Sequence, residues 1–175
     1  LRRYSREEYL DVVARLRAAI PSINLTTDII VGFPGETDAE FEETLSAVEA
    51  AGFSDAYTFK FSPRDGTPAT RMPAEWTVSD EVAGARMERL VALVRQQARA
   101  RNLAMLGRRA EVLVEKEARR GAELMQARTR DFKTVLVPGG EELLGRYLNV
   151  ELTGTTGSTF TGSLVTERRA LPMAG

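Results

Sequence analysis

Thr26-Thr27-Asp28-Ile29-Ile30-Val31-Gly32-Phe33-Pro34-Gly35-Glu36-Thr37 reads as an extended, largely apolar run that feeds straight into a glycine-rich turn and a helix start. Its β-branched, apolar end predicts a strand over residues 25–31 that is buried on both faces, as in a parallel sheet. Thr37-Asp38-Ala39-Glu40 then has the spacing of a capping box, in which the threonine hydroxyl and the Glu40 carboxylate serve orphan amides reciprocally. Phe41, Leu45 and Val48 follow at helical spacing, and Gly52 stands where a helix would end. Residues 56–61 alternate as a second strand, with Tyr57, Phe59 and Phe61 on one face and Thr58 and Lys60 on the other.

The same logic extends in both directions from this stretch. Upstream, Ser5-Arg6-Glu7-Glu8 is another capping box, Leu10, Val13, Leu16 and Ile20 recur at helical spacing, and Pro21 stops the helix. Helix, strand, helix, strand with short connections is the pattern of βα units around a parallel sheet. Two parallel strands cannot close a barrel, so the expectation is an α/β portion completed by other segments, or a truncated sheet with an exposed edge.

Downstream, residues 62–77 form a loop rich in Pro and Gly, and Ser79 opens a long helix that ends at Gly107. Val82, Met87, Leu90, Val91, Leu93, Val94 and Leu103 make its apolar face. Composition then changes to short alternating runs at 111–115, 124–129, 134–137, 148–152 and 158–165, the later ones separated by Pro138-Gly139-Gly140 and by the turn at 154–157. Five short strands in so few residues predict a small all-β barrel. The expected organisation is therefore an α/β domain over 1–106, a β-barrel over 107–170 and a tail at 171–175.

Bulk properties set limits on function. A net charge of −1 over 175 residues gives no global electrostatic argument for nucleic acid or membrane. No apolar run approaches the roughly 18 residues that cross a bilayer. Arg2-Arg3 leads into a polar, acidic helix rather than a secretory signal, so a cytoplasmic location is expected. The chain has neither cysteine nor histidine, so no thiolate or imidazole chemistry is encoded in it, and no metal-ligand set is expected.

Four groups of residues have the character of sites. The Gly32–Glu36 turn falls at the carboxyl end of a parallel strand, where ligands bind in α/β sheets and barrels; the alternative is a tight connection that binds nothing. The loop Phe61-Ser62-Pro63-Arg64-Asp65-Gly66-Thr67-Pro68-Ala69 follows the second strand at the same end, and is either a clamp for a polar ligand or a self-satisfied turn. Asp28 and Lys60 place charges inside apolar strands. They either face a polar lumen, or pair with each other or with further segments. In the barrel, Arg128, Arg130 and Lys133 cluster around Phe132, with Arg108, Arg109, Arg119, Arg120 and Arg146 nearby. Cations interleaved with an aromatic suit RNA phosphates and a stacked base, and equally suit a solvated, ion-paired surface.

Four blocks taken in order carry a family resemblance: Arg2-Arg3-Tyr4-Ser5-Arg6-Glu7-Glu8-Tyr9, the stretch 26–37, the stretch 59–69, and Arg128-Thr129-Arg130 leading to Val137-Pro138-Gly139. Together they resemble the radical-SAM methylthiotransferases, in particular the tRNA-modifying MiaB type, over nearly the whole chain. The resemblance implies the final two βα units of a partial (β/α) radical-SAM barrel with its trailing helix, followed by a TRAM domain, an OB-like RNA-binding barrel. It also implies two [4Fe-4S] clusters in the intact enzyme, with cysteine ligands in upstream domains outside this chain, which on its own is expected to be inactive.

By the same resemblance Thr27, Asp28, Gly32, Phe33, Lys60, Phe61 and Ser62 would border S-adenosyl-L-methionine (SAM), and Arg128, Arg130, Phe132 and Lys133 would bind RNA. The intact enzyme, expected to be a monomer, would add a methylthio group to C2 of N6-isopentenyladenosine beside the anticodon of tRNA. One SAM would supply the 5′-deoxyadenosyl radical and another the methyl. Relative to the looser G-x-I-x-G-x-x-E pattern of radical-SAM enzymes, this chain has Asp28 at the first glycine, and Glu36 falls one place late. Family TRAM domains often have Asn near the position of Phe132. Thr27-Asp28-Ile29 favours the tRNA branch over siblings acting on a ribosomal protein or on threonylcarbamoyl-adenosine tRNA. A stand-alone RNA-binding module is the remaining alternative.

Overall fold

A computed structural model describes residues 4–119 and 123–165. Arg2, Arg3 and Arg120, the last residues assigned to the barrel domain (166–170) and the tail 171–175 lie outside the described residues. The chain divides into two compact units, residues 1–98 and 99–175.

In the first unit α1 (Arg6–Ala19), β1 (Thr26–Val31), α2 (Asp38–Ala51) and β2 (Asp55–Lys60) alternate, and β1 pairs with β2 in parallel, Thr26 opposite Asp55 through Val31 opposite Lys60. Both capping boxes form. Ser5 Oγ accepts from Glu8 N (3.2 Å) while Glu8 Oε2 accepts from Ser5 N (2.7 Å). Thr37 and Glu40 repeat the arrangement at 3.2 and 2.8 Å. Gly52 closes α2 in the left-handed conformation. Two short 3₁₀ turns, Pro68–Arg71 and Ala74–Trp76, lead to α3 (Asp80–Leu103).

Val13 of α1, Val31 of β1, Phe41 and Val48 of α2, and Leu90 and Val94 of α3 share one core. Of the residues expected to form the apolar faces, Leu16, Ile20, Val82 and Leu103 are exposed instead. The expectation of a strand buried on both faces is corrected here. Burial in β1 alternates, Thr27, Ile29 and Val31 being covered while Thr26, Asp28 and Ile30 are open. The helices cover one face of the two-stranded sheet, and no described element covers the other, so strands with a parallel-sheet composition keep an open side.

In the second unit β3 (Arg109–Glu117), β4 (Leu124–Thr129), β5 (Thr134–Pro138), β6 (Tyr147–Thr155) and β7 (Thr159–Leu164) close into a barrel in the order β3-β4-β5-β7-β6. All pairs are antiparallel except β5 with β7. Val112, Val114, Met125, Ala127, Val135, Val137, Val150, Leu152 and Phe160 alternate inward and are buried. Register shifts between Val114 and Lys116 and between Leu152 and Gly154 bend β3 and β6 where a five-stranded barrel must turn its corners. Within this unit the last turn of α3 is tied to the β6–β7 hairpin by Asn102, whose Nδ2 donates to the Gly157 carbonyl at 2.6 Å.

Candidate functional sites

The open face of the β1–β2 sheet is the first site. Cross-strand partners share a face, so Asp28 stands beside Tyr57 and Ile30 beside Phe59. Tyr57 is 67% exposed, and Ile30 and Phe59 are half exposed. One residue beyond the strands, Phe61 N donates to Val31 O at 2.8 Å, which continues the ladder. There the rings of Phe33 and Phe61 meet edge to face with centroids 5.1 Å apart. The result is an apolar wall that carries one carboxylate, Asp28, and ends in an aromatic pair at the carboxyl end of both strands.

Lys60 does not share that wall. Opposite Val31 in register, it belongs to the helix-covered side, where its Nζ lies 4.0 Å from Asp80 Oδ1 at the start of α3. Asp28 and Lys60 therefore do not pair. Thr27 is half-buried, with the residues beside it lining a groove of about 440 Å³ between β1, α1 and α2. Ser62 is exposed at the start of the second loop, and that loop closes on itself: Thr67 donates to the Arg64 carbonyl through both its amide (3.2 Å) and its hydroxyl (2.8 Å).

The Gly32–Glu36 turn owes its shape to protein contacts. Gly32 has φ +74°, and a Cβ there would stand 2.9 Å from the Ala83 Cβ of α3. A side chain is thus excluded by helix packing as well as by backbone conformation. The Gly32 amide donates to Glu36 Oε2 at 2.7 Å. The same carboxylate oxygen accepts from Arg86 at 2.7 Å, and Arg86 also donates to the Glu36 carbonyl (3.0 Å) and to Asp38 Oδ1 (2.6 Å). Arg86 is only 6% exposed. Burial on its own would lower its pKa, but the hydrogen bonds and charges of Asp38 and Glu36 more than offset that, so the guanidinium is held above its ordinary value. The late glutamate of the sequence motif is the residue that fastens the turn to α3.

Sequence reasoning missed Arg86, and a signal for it existed. It lies four and eight residues before Leu90 and Val94, a polar interruption of the buried stripe of α3.

The second site is one face of the barrel. Thr129, Arg130, Asp131 and Phe132 form the β4–β5 turn: Phe132 N donates to Thr129 O (3.0 Å), Thr129 N donates to Lys133 O (3.0 Å), and Lys133 N donates to Thr129 Oγ1 (2.9 Å). Phe132 occupies the left-handed position of this turn at φ +63° and is 77% exposed. The turn brings together all four residues expected to bind RNA. It also supplies partners that sequence reasoning did not assign: Arg128 Nε donates to Glu115 Oε1 at 2.8 Å, and Arg130 pairs with Glu111 Oε2 at 3.0 Å. Lys133 also has a partner.

Comparison with known sequences agrees with this architecture. The sequence model of the Radical SAM superfamily matches residues 1–48, and that of the TRAM domain matches residues 103–165. The chain thus carries a segment similar to the Radical SAM superfamily followed by one similar to the TRAM domain.

Proteins similar to this chain include tRNA-2-methylthio-N(6)-dimethylallyladenosine synthases. That of Geobacillus thermodenitrificans is 46% identical over 95% of this chain and 31% of its own length. That of Moorella thermoacetica is 45% identical over 87% of this chain and 34% of its own length. That of Oceanobacillus iheyensis is 43% identical over 94% and 31%. The chain thus spans about a third of the length of the curated relatives it matches.

Proposed function

We propose that this chain is part of a tRNA methylthiotransferase that modifies C2 of N6-isopentenyladenosine, and that it contributes one wall of the SAM pocket and a tRNA-binding barrel. Identity of 43 to 46% with enzymes bearing that name, spread over both units, supports the tRNA branch over the ribosomal-protein sibling. The observation that carries the reading is the open β1–β2 face. It is an apolar wall with a single carboxylate and a Phe33–Phe61 edge, built where βα folds place their ligands.

The residues present fit the organic cofactor and not the clusters. Phe33, Phe61 and Ser62 offer two aromatic rings and a hydroxyl at the carboxyl end of the sheet, and Asp28 offers an acceptor further back on the open face, as an adenosine moiety needs. Gly32 shapes that end rather than reaching across it, whereas Thr27, near the amino end of β1, and Lys60 belong to the helix-covered side. When bound in the whole enzyme, SAM supplies the radical and methyl chemistry. This chain's own residues orient it and keep water from the apolar wall. No thiolate is encoded, and among the described residues no group of Asp and Glu is arranged to hold a metal ion, so the clusters depend on ligands from other segments.

In the barrel, Arg128, Arg130, Phe132 and Lys133 would take the tRNA anticodon stem-loop. A filter-binding titration of the full chain against tRNA tests this. Saturable binding that weakens on adding salt, and weakens further when Arg128 and Arg130 are both replaced by alanine, is expected. Unchanged binding by the double variant refutes the assignment.

A further inference from the structure

The barrel face next to the β4–β5 turn carries a second exposed aromatic, Tyr147. It opens β6 and is 67% exposed. Its register partner on β3 is Leu113, and Leu113 is paired in turn with Arg128 on β4, so the three form one row across the outer face. The flanking positions Val112, Val114, Ala127 and Thr129 all point inward. Two strand spacings, about 10 Å, separate Tyr147 from Arg128. Phe132 lies at the far end of the row, its carbonyl 3.5 Å from the Arg128 guanidinium.

Two features argue for what covers this row. First, Phe132 holds a left-handed backbone, a conformation disfavoured for a residue with a Cβ, while its ring stays in solvent. Nothing in the barrel core requires the ring, since the core is complete without it. Second, Arg128 of the row and Arg130 in the adjoining turn are already ion-paired with Glu115 and Glu111, which offsets their charge. A duplex reader that works by neutralising phosphates is poorly served by such a surface. Unpaired bases, each with a π-face, suit two aromatics separated by an arginine.

We infer that Tyr147 and Phe132 are stacking platforms for unpaired nucleobases, and that single-stranded RNA runs across β6, β3 and β4 between them. Glu111 and Glu115 temper the arginine donors, so stacking adds to the phosphate contacts and sets the preference for unpaired bases. This rests on the barrel being the tRNA-binding unit. It names the part of tRNA that the barrel takes, loop nucleotides rather than stem.

The test uses the full chain, with fluorescence anisotropy of a labelled, unstructured RNA of roughly ten nucleotides and of a hairpin stem as comparison. The single strand should bind better than the stem. Tyr147→Ala and Phe132→Ala should each weaken it by about fivefold to a hundredfold, while Tyr147→Phe retains binding. Glu111→Gln with Glu115→Gln should tighten it by roughly twofold to fivefold.

Phe132→Gly separates folding from binding. It relieves the backbone, so its melting temperature should match or exceed the parent's while RNA binding falls. If the parent binds both RNAs but prefers the stem, or if Tyr147→Ala binds as the parent does, the stacking row is refuted and the barrel assignment stands. If neither RNA binds, the barrel assignment itself falls. Retention of a protein or of anionic vesicles in place of RNA would likewise overturn the proposal.

Discussion

Arg86 decides how the Gly32–Glu36 turn is held, and its energetics are of a different kind from those of its neighbour Arg89. Both guanidinium groups lie over the Phe41 ring, at 5.6 and 5.2 Å from its centroid. Arg86 is buried with a carboxylate, Glu36, that is itself only 12% exposed at its side chain, whereas the Arg89–Glu42 pair is more than half exposed at 2.6 Å. Removing one partner of a buried pair strands the other. Arg86→Met should therefore cost about 3 kcal/mol in urea unfolding, and Arg89→Met less than about 1 kcal/mol. Equal shifts for the two variants would show that Arg86 is not a buried anchor. Gly32→Ala meets both a positive φ and the Ala83 contact, so a loss of about 2 kcal/mol is expected in the same assay. A variant as stable as the parent would mean that α3 does not press on the turn.

At the scale of elements, local chemistry was the most legible part of the sequence. Ser5 and Thr37 begin their helices with the hydrogen bonds that the S/T-x-x-E spacing implied, because a capping box is satisfied within four residues. That local bond has a pH consequence. The Thr37 amide and then its hydroxyl hold the Glu40 carboxyl below the ordinary value of 4.5. A carboxyl lowered in the folded state contributes stability that is fully present above the ordinary value and is lost as pH falls through the folded one. The urea midpoint should thus drop more steeply between about pH 5 and about pH 3 for the parent than for Glu40→Gln. Identical slopes would mean that the cap is not what titrates.

What local chemistry could not show was how much of each strand is covered. Ile30 and Ile29 are indistinguishable in sequence, yet one is open and one covered, because burial depends on which faces of the sheet meet a helix. Tyr147 was missed for a related reason. β6 starts one residue earlier than its apolar alternation, so the aromatic at its first position reads as turn.

For the whole molecule, the two units solve the problem of exposed sheet in opposite ways. The five-stranded barrel leaves no free edge and buries a continuous apolar interior. The β1–β2 sheet leaves Ile30, Tyr57, Phe59 and Phe33 in solvent, a contiguous apolar surface of the kind that marks a binding face. Among the described residues no helix is long and apolar enough to cross a membrane. The order of a βα portion and a small barrel was legible from the switch in hydrophobic period near Gly107, whereas the positions of the two sites depended on cross-strand register. Asp28 and Lys60 looked equivalent as charges in strands and came to lie on opposite faces, since β1 pairs with β2 so that Asp28 meets Tyr57 and Lys60 meets Val31.

The role in tRNA methylthiolation is tested most directly by mass spectrometry of tRNA nucleosides from cells in which the reading frame encoding this chain is deleted. The methylthio derivative of N6-isopentenyladenosine should disappear and its unthiolated precursor accumulate. An unchanged nucleoside profile would contradict the role proposed for this protein.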